Sequence, residues 1–198
     1  MRFAKPACLG LAAALVPALS SVARAHVGEG AGGGLISGFV HPLLGADHVM
    51  AMVAVGLWGV FLGRPAIWLL PVIFPLVMAL GGVMGMVGMP LPSVETGIAL
   101  SAIVLGLCVA LGARAPLWLA AVLVGFFAIF HGYAHGAEMP GEADALSFAL
   151  GFVIATGVLH LTGILFGSLA RTEPGRLAVR AAGAVIALGG VGFLTGVV

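Results

Sequence analysis

Residues 66–88, AIWLLPVIFPLVMALGGVMGMVG, decide the fold, because they form one long apolar stretch without a charged side chain. A helix needs about 20 consecutive apolar residues to cross the hydrocarbon core of a bilayer. Five more stretches of similar character follow or precede this one, separated by short polar or Pro/Gly-containing breaks. The six predicted spans are residues 42–62, 66–88, 94–113, 115–136, 145–168 and 177–197. The sequence therefore predicts an all-α, polytopic membrane protein.

The composition supports lipid as the surrounding solvent. Of the 198 residues, 62% are hydrophobic and only 8% are charged, whereas soluble domains are about half apolar and a quarter charged. A soluble chain of this composition would have too little polar surface to cover its core. The formal net charge of +1 offers no basic field for nucleic acid, so the bilayer is the expected partner and nucleic acid is not.

The first 25 residues have the pattern of a cleaved signal peptide. Arg2 and Lys5 form a short positive region, residues 7–19 form an apolar core, and Ala-Arg-Ala at residues 23–25 has the small-x-small pattern of a cleavage site. The expected domain organisation is a signal peptide at 1–25 followed by a six-helix membrane domain at 26–198. The mature chain would begin at His26, on the outer side of a bacterial inner membrane.

The charged residues predict the orientation of the spans. After the signal peptide, every basic residue lies in or beside the first, third or fifth connection: Arg64, Arg114, Arg171, Arg176 and Arg180. The second and fourth connections carry acidic residues instead: Glu95, Glu138, Glu142 and Asp144. Cytoplasmic loops carry an excess of Lys and Arg. Both mature termini are therefore predicted to lie outside.

A first histidine cluster opens the first span in the stretch HPLLGADH. His41 and His48 are seven residues apart, or about 10 Å along a straight helix, which is too far to share one metal ion. Pro42 and Gly45 make a straight helix less favourable here. A broken or tightened turn could bring the two imidazoles together, with Asp47 beside them. Pro42 also fits the first position of a helix that begins at the span.

A second cluster closes the fourth span. His131 and His135 are four residues apart, so their rings lie on one helix face about 6 Å apart along the axis, and Glu138 follows in the outer loop. The first and fourth spans run in opposite directions. The topology therefore places His41, His48, Asp47, His131 and His135 at one depth near the outer surface, as the predicted metal-binding residues.

Three other residues are accessory candidates. His160, in the fifth span, could be a deeper station for a metal ion or a core histidine bonded to a carbonyl, and the second interpretation is preferred. Glu95 could guide cations inward or stabilise the start of its helix through the helix dipole. His26, as a mature N-terminus, could chelate with its amine and imidazole together. With Glu138, these complete the set of residues expected to handle the ion.

The donor atoms narrow the class of ligand and leave alternatives open. Imidazole suits Zn, Cu, Ni and Fe, whereas Mg and Ca prefer oxygen donors. Histidine with aspartate points to Ni²⁺, Co²⁺ or Zn²⁺. Soft ligands for Cu(I) could come from Met84, Met86 and Met89, which leaves a Cu/Zn transporter open. A bis-histidine haem-binding electron carrier, using His48 and His131, is a further alternative. No nucleotide-binding or His-Glu-x-x-His motif occurs, and an enzyme is not expected.

The stretch HPLLGADHVMAM at residues 41–52 resembles the first-span signature of the HupE/UreJ family of hydrogenase and urease accessory membrane proteins. The resemblance extends over the mature chain, with a signal peptide, six spans and a histidine-rich end to the fourth. The larger nickel/cobalt transporters have a similar motif with four residues between histidine and Asp-His, whereas this chain has five residues between His41 and Asp47.

The resemblance implies an uptake permease for Ni²⁺, and for Co²⁺ in some members, that supplies the assembly of nickel enzymes. Carried over residue by residue, His41, Asp47 and His48 would handle the metal. The ion would be a transported substrate, and no tightly bound cofactor is expected. A functional link to nickel-enzyme maturation proteins follows from the same resemblance. A homo-oligomer and the choice between nickel and cobalt stay open.

Overall fold

A computed structural model describes residues 31–139 and 144–197 of the chain. In these two segments the secondary structure is helical, without a strand, which confirms the all-α class for this part of the protein. The helices are α1 (Ala31–Leu44), α2 (Ala46–Leu62), α3 (Ala66–Met86), α4 (Val94–Leu111), α5 (Leu117–Ala137), α6 (Ala145–Gly167) and α7 (Glu173–Thr195), with a 3₁₀ turn (Ser168–Arg171) after α6. The predicted signal peptide at 1–25 and His26 lie outside the described residues.

Five helices, α3 to α7, are long and apolar enough to cross a membrane. Helices α1 and α2 pass the same test only as a pair, which is bent by 84°. The described chain therefore has five candidate spans, or six if the bent pair counts as one. Outward-facing positions are apolar, as lipid contact requires: Leu76 is 65% exposed, Val122 61% and Leu188 70%.

The first predicted span, 42–62, is wrong at its start. The chain is already helical from Ala31, and the break falls at Gly45, whose extended backbone (φ −88°, ψ 108°) separates α1 from α2. Pro42 therefore lies in the last turn of α1 and does not begin a helix. Its missing N–H leaves the Gly38 carbonyl without a helical partner, which weakens the end of α1 just before the bend.

The last predicted span also begins earlier than residue 177. Helix α7 begins at Glu173, because the Thr172 side chain accepts a hydrogen bond from the Gly175 N–H at 3.2 Å and Pro174 sits in the first turn, where its missing N–H costs nothing. This cap shortens the fifth connection and keeps its arginines at the end of the bundle.

Glycines bring α3 and α5 into direct backbone contact. A Cβ atom at Gly132 would collide with the Met78 carbonyl, and one at Gly136 would collide with the Gly82 carbonyl. Small residues that let two helix backbones touch are typical of membrane helix packing. The contact fixes the position of the histidine-bearing end of α5 against α3.

In the described residues, the arginines lie at one end of the helix bundle and most acidic residues at the other; the exception is Glu173, which pairs with Arg176. The Arg180 side chain donates to the Ala110 carbonyl at 2.6 Å, and the Trp58 indole donates to the Ala113 carbonyl at 2.9 Å. These contacts gather the ends of α2 and α4 and the start of α7 at the arginine-bearing end. At the other end, Asp144 caps α6, and hydrogen bonds from Ser147 lower the pKa of Asp144. Glu142 lies outside the described residues.

Candidate metal site

The bend between α1 and α2 turns two histidines toward the same neighbour on α5. His41 stands at the end of α1 and His48 at the start of α2. The ring centroid of His135 lies 4.9 Å from that of His41 and 4.7 Å from that of His48. A continuous straight helix could not place both rings against one partner, so the break at Gly45 creates the cluster.

Three imidazoles meet at the inner side of the site, and we call His48, His131 and His135 the inner trio. His48 Nδ1 lies 3.2 Å from His131 Nδ1 and 3.1 Å from His135 Nε2. Imidazole nitrogens bind zinc at about 2.0–2.1 Å, so two ligand nitrogens on one such ion lie about 2.9–3.4 Å apart. Both distances fall within that range, so His48 Nδ1 is placed to share an ion with His131 or with His135. His48 and His131 are almost fully buried, at 1% and 0% exposure.

A second group of donors lies at the mouth of the site, and we call His41, His135 and Glu138 the outer trio. Glu138 Oε2 is 3.2 Å from His41 Nε2 and 3.8 Å from His135 Nδ1. One ligand atom from each residue lies within 4.8 Å of the others. Because His135 turns Nδ1 to this group and Nε2 to His48, its ring belongs to both trios and connects them.

A cavity of about 300 Å³ is lined by both trios together with Asp47 and Glu95. Asp47 Oδ1 accepts a hydrogen bond from the His48 N–H at 2.7 Å, so its carboxylate braces the start of α2. Glu95 is exposed in the first turn of α4. The two carboxylates add negative charge to the cavity, but neither belongs to the close groups of donor atoms.

Ser101 on α4 is a member of this site that the sequence did not indicate. Its hydroxyl donates to the Ile98 carbonyl at 2.6 Å and lies 2.8 Å from His131 Nε2. A hydroxyl has only one hydrogen, and with that hydrogen on the Ile98 carbonyl the assigned tautomer of His131 donates its Nε2–H to the serine oxygen. His131 is then the tautomer whose Nδ1 lone pair faces His48, which is the form that can bind a metal ion. A lone serine in an apolar helix gives no sequence signal for such a role.

His160 lies on α6, deeper in the bundle, and is 1% exposed. Within residues 31–139 and 144–197, neither of its ring nitrogens has a hydrogen-bond partner. The preferred sequence interpretation, a core histidine bonded to a carbonyl, stays a prediction: the Pro71 carbonyl of α3 lies beside the His160 ring but does not meet the full geometry of a hydrogen bond. Its ring centroid lies 5.6 Å from that of Phe74, which is also 5.7 Å from His131.

The structure brings together most of the residues that the sequence singled out. Four histidines converge with Glu138: His41, His48, His131 and His135. Asp47 and Glu95 line the same cavity. His26 lies outside the described residues. The haem alternative does not fit this arrangement. The facing nitrogens of His48 and His131 are 3.2 Å apart, closer than two ligands on opposite faces of a haem iron, so this geometry favours a single metal ion over a haem.

Comparisons with known proteins identify the family of the chain. The family model described as HupE / UreJ protein matches residues 13–193. The curated protein named Protein HupE, from Rhizobium leguminosarum bv. viciae, is 47% identical over 179 residues, which cover 90% of this chain and 93% of that protein. No solved structure is significantly similar to the chain. A family match over nearly the whole chain, with a relative this similar, shows that the chain belongs to the HupE/UreJ family.

Proposed function

We propose that the chain is an uptake permease for a divalent transition metal ion, with Ni²⁺ as the first candidate and Co²⁺ as the second. One observation carries the proposal: four histidines and Glu138 from three helices converge at one end of an apolar helix bundle. Ionisable residues at membrane depth are costly and mark ion pathways or relays. The chain then acts as a carrier, not as an enzyme, and the ion is its substrate.

The donor set supports a borderline transition metal over a hard cation. The two trios offer imidazole nitrogens and the Glu138 carboxylate, whereas Mg²⁺ and Ca²⁺ require mainly oxygen ligands. A divalent ion would offset two of the three negative charges that Glu138, Asp47 and Glu95 bring to the cavity.

The arrangement of the trios supports a route into the bundle. An ion captured by the exposed outer trio can move to the buried inner trio by exchanging one nitrogen of His135 for the other. Entry needs no nucleotide, since a divalent ion gains about 4.6 kcal/mol on crossing 100 mV of membrane potential. The side chain of His41 is 27% exposed and that of His135 is 14% exposed, so the exposure of the ligands to solvent decreases from the mouth of the site toward the interior.

The proposed orientation places the histidine end outside and the arginine end in the cytoplasm of a bacterial inner membrane. Its support is the positive-inside rule, applied to connections that carry Arg64, Arg114 and Arg171 at one end and Glu95 and Glu138 at the other. Metal would then enter from outside and reach the cytoplasm. The family's association with hydrogenase and urease accessory proteins supports nickel-enzyme maturation as the destination.

The direct test of this function is uptake of ⁶³Ni into liposomes that contain the purified chain, driven by an inside-negative potential. We expect saturable accumulation that unlabelled Co²⁺ inhibits and that excess Mg²⁺ and Ca²⁺ do not. Liposomes without protein and liposomes with His48→Ala are the controls. Uptake no greater than in empty liposomes contradicts the proposal, whereas inhibition by Cu⁺ or Zn²⁺ stronger than by Co²⁺ would favour the copper or zinc alternative.

The Ser101 hydroxyl yields a prediction for a residue that does not itself touch the ion. Ser101→Ala removes the acceptor of the His131 Nε2–H, so the ring can take the other tautomer and turn a proton toward His48. Loss of such a supporting hydrogen bond typically costs about 10–100-fold in metal affinity or activity. We expect Ser101→Ala to raise the half-saturating nickel concentration by about tenfold.

The matched control is Ser37→Ala on α1. The Ser37 hydroxyl also donates to a carbonyl three residues earlier, that of Gly34, at 3.0 Å. Its removal should leave nickel uptake near that of the unmodified protein. Equal half-saturating concentrations for the two variants would show that the hydroxyl of Ser101 does not position His131.

A further inference from the structure

A group of buried polar atoms without partners lies in the bundle beyond the inner trio. His160 and Thr156 are four residues apart on α6 and are 1% and 0% exposed. In the described residues, the Thr156 hydroxyl and both His160 ring nitrogens have no hydrogen-bond partner. A buried polar group left unpaired costs about 1–3 kcal/mol, so the apolar core would be more stable without these three. Their presence therefore indicates that a polar or charged ligand occupies this part of the bundle.

A backbone carbonyl from α3 completes this group. Pro75 has no N–H, so the carbonyl of Pro71, four residues earlier, lacks its helical hydrogen bond. That carbonyl faces the His160 ring, although it does not meet the geometry of a hydrogen bond. The His160 imidazole with the freed Pro71 carbonyl beside it, and the Thr156 hydroxyl one turn earlier on α6, are thus buried in the same part of the bundle.

The position of His160 continues the route from the inner trio. A Cβ atom at Gly56 of α2 would collide with the His160 carbonyl, so the two backbones touch there. Gly56 is eight residues after His48 on α2, which corresponds to about 12 Å along the helix axis. His48 Nε2 is also buried without a partner in the described residues. Helical side chains lean toward the helix N-terminus, so the His160 side chain leans back toward the trio.

Phe74 lies beside both stations. Its ring centroid is 5.7 Å from that of His131 and 5.6 Å from that of His160, so one aromatic ring neighbours the inner trio and the deeper group. The three stations then lie in the order outer trio, inner trio, His160, from the exposed mouth into the bundle.

We propose that His160, with the Thr156 hydroxyl and the Pro71 carbonyl, forms an inner transit site for the divalent transition metal ion. The inference rests on the proposed function. Neutral ligands without a carboxylate hold a cation more weakly than the outer trio with Glu138 does. Conduction requires sites that bind the ion strongly enough for it to enter but weakly enough for it to leave. An inner site of low affinity meets that requirement.

The test compares His160→Leu and Thr156→Val with Thr162→Val. Thr162 is exposed on the same helix, where its hydroxyl donates to the Val158 carbonyl at 2.9 Å. We expect His160→Leu to lower the initial rate of ⁶³Ni uptake by about tenfold or more, by analogy with losses at metal sites, Thr156→Val to lower it less, and Thr162→Val to leave it unchanged. Nickel binding to the purified variants by equilibrium dialysis should stay at the unmodified level, because the outer and inner trios are intact.

Thermal unfolding separates a transit site from a structural role. Removing unpaired buried polar atoms should leave the unfolding temperature of His160→Leu unchanged or raise it. Unchanged uptake in His160→Leu overturns the inner site, as does a fall in uptake that accompanies a lowered unfolding temperature and lost nickel binding. If the unmodified chain transports nickel and His135→Ala does not, either of these two results for His160→Leu overturns the inner site alone. If the unmodified chain fails to transport, the proposed function and the inner site fail together.

Discussion

Replacement of His135 by alanine is expected to reduce ⁶³Ni uptake by on the order of a hundredfold or more, because even the loss of a residue that only supports a metal ligand costs up to about that much. The His135 ring is the only one that belongs to both trios: Nδ1 faces Glu138 and Nε2 lies 3.1 Å from His48 Nδ1. Its loss leaves each trio with two donors and removes the bridge between them. The measurements are the initial rate of uptake and the nickel affinity of the purified protein.

Three further variants show whether the effect belongs to the imidazole. Phe126→Ala removes a ring from the same helix at a position that is 54% exposed and outside the cavity, and should transport normally. His135→Gln keeps a polar side chain without an imidazole and should remain strongly impaired. His41→Ala removes a donor from the outer trio alone, so its loss of uptake should be smaller. Equal uptake in His135→Ala and Phe126→Ala would refute the assignment of both trios.

The approximate spans and the common depth of the histidines could be predicted, because apolar length and the alternating direction of the spans determine both. Apolar length gave the positions of α3 to α6 within a few residues, and opposite helix directions placed the two histidine clusters at the same depth. The predicted helix bounds are most accurate where the apolar stretch is uninterrupted by a charged residue. Helix α3, for example, is predicted at 66–88 and extends over Ala66–Met86 in the structure.

Helix α1 could not be predicted, because its stability comes from tertiary contact and not from its own residues. The segment AGGGLISGFVHPLL is rich in glycine, a poor helix former. Its glycines serve a packing role that sequence does not reveal: a Cβ atom at Gly38 would collide with the Phe148 carbonyl of α6. Helix formation here depends on a partner more than 100 positions away along the chain.

The supporting residues of the site were missed for a related reason. Ser101 acts through a single hydrogen bond to His131 across two helices, and Glu138 was expected only as an accessory although it lies 3.2 Å from His41. Sequence spacing gives the face of one helix but not the rotation of its neighbour. First-turn and end-of-helix histidines could be found by pattern, whereas partners on other helices required the packed bundle.

Gly132→Ala is expected to impair both stability and transport, although it adds only one methyl group. The new Cβ atom would lie 2.8 Å from the Met78 carbonyl carbon and 2.9 Å from the Gly82 nitrogen, and both are backbone atoms of α3 that cannot rotate away. Helices α3 and α5 must separate. Overpacking of this kind costs about 1–3 kcal/mol, which thermal unfolding of the purified protein in detergent should register as a lowered midpoint.

The same displacement should disable the site, because His131 precedes Gly132 directly and His135 lies one turn further along α5. Binding groups must be held within about 0.5 Å of their working geometry, and a shift of α5 lengthens both the 2.8 Å contact of His131 with Ser101 and the 3.1 Å contact of His135 with His48. Nickel uptake should therefore fall by about tenfold or more, as when other supports of a metal site are lost.

Gly157→Ala is the matched control, since a Cβ atom there meets nothing within 4 Å on the outward face of α6. Alanine is a better helix former than glycine by about 0.8–1.0 kcal/mol in water, so this variant should keep its unfolding midpoint, or raise it, and transport normally. Loss of uptake in both glycine variants would point to a general sensitivity of the bundle. Normal uptake in Gly132→Ala would mean that α5 can move without disturbing the trios, and that backbone contact with α3 is not what holds the histidines in register.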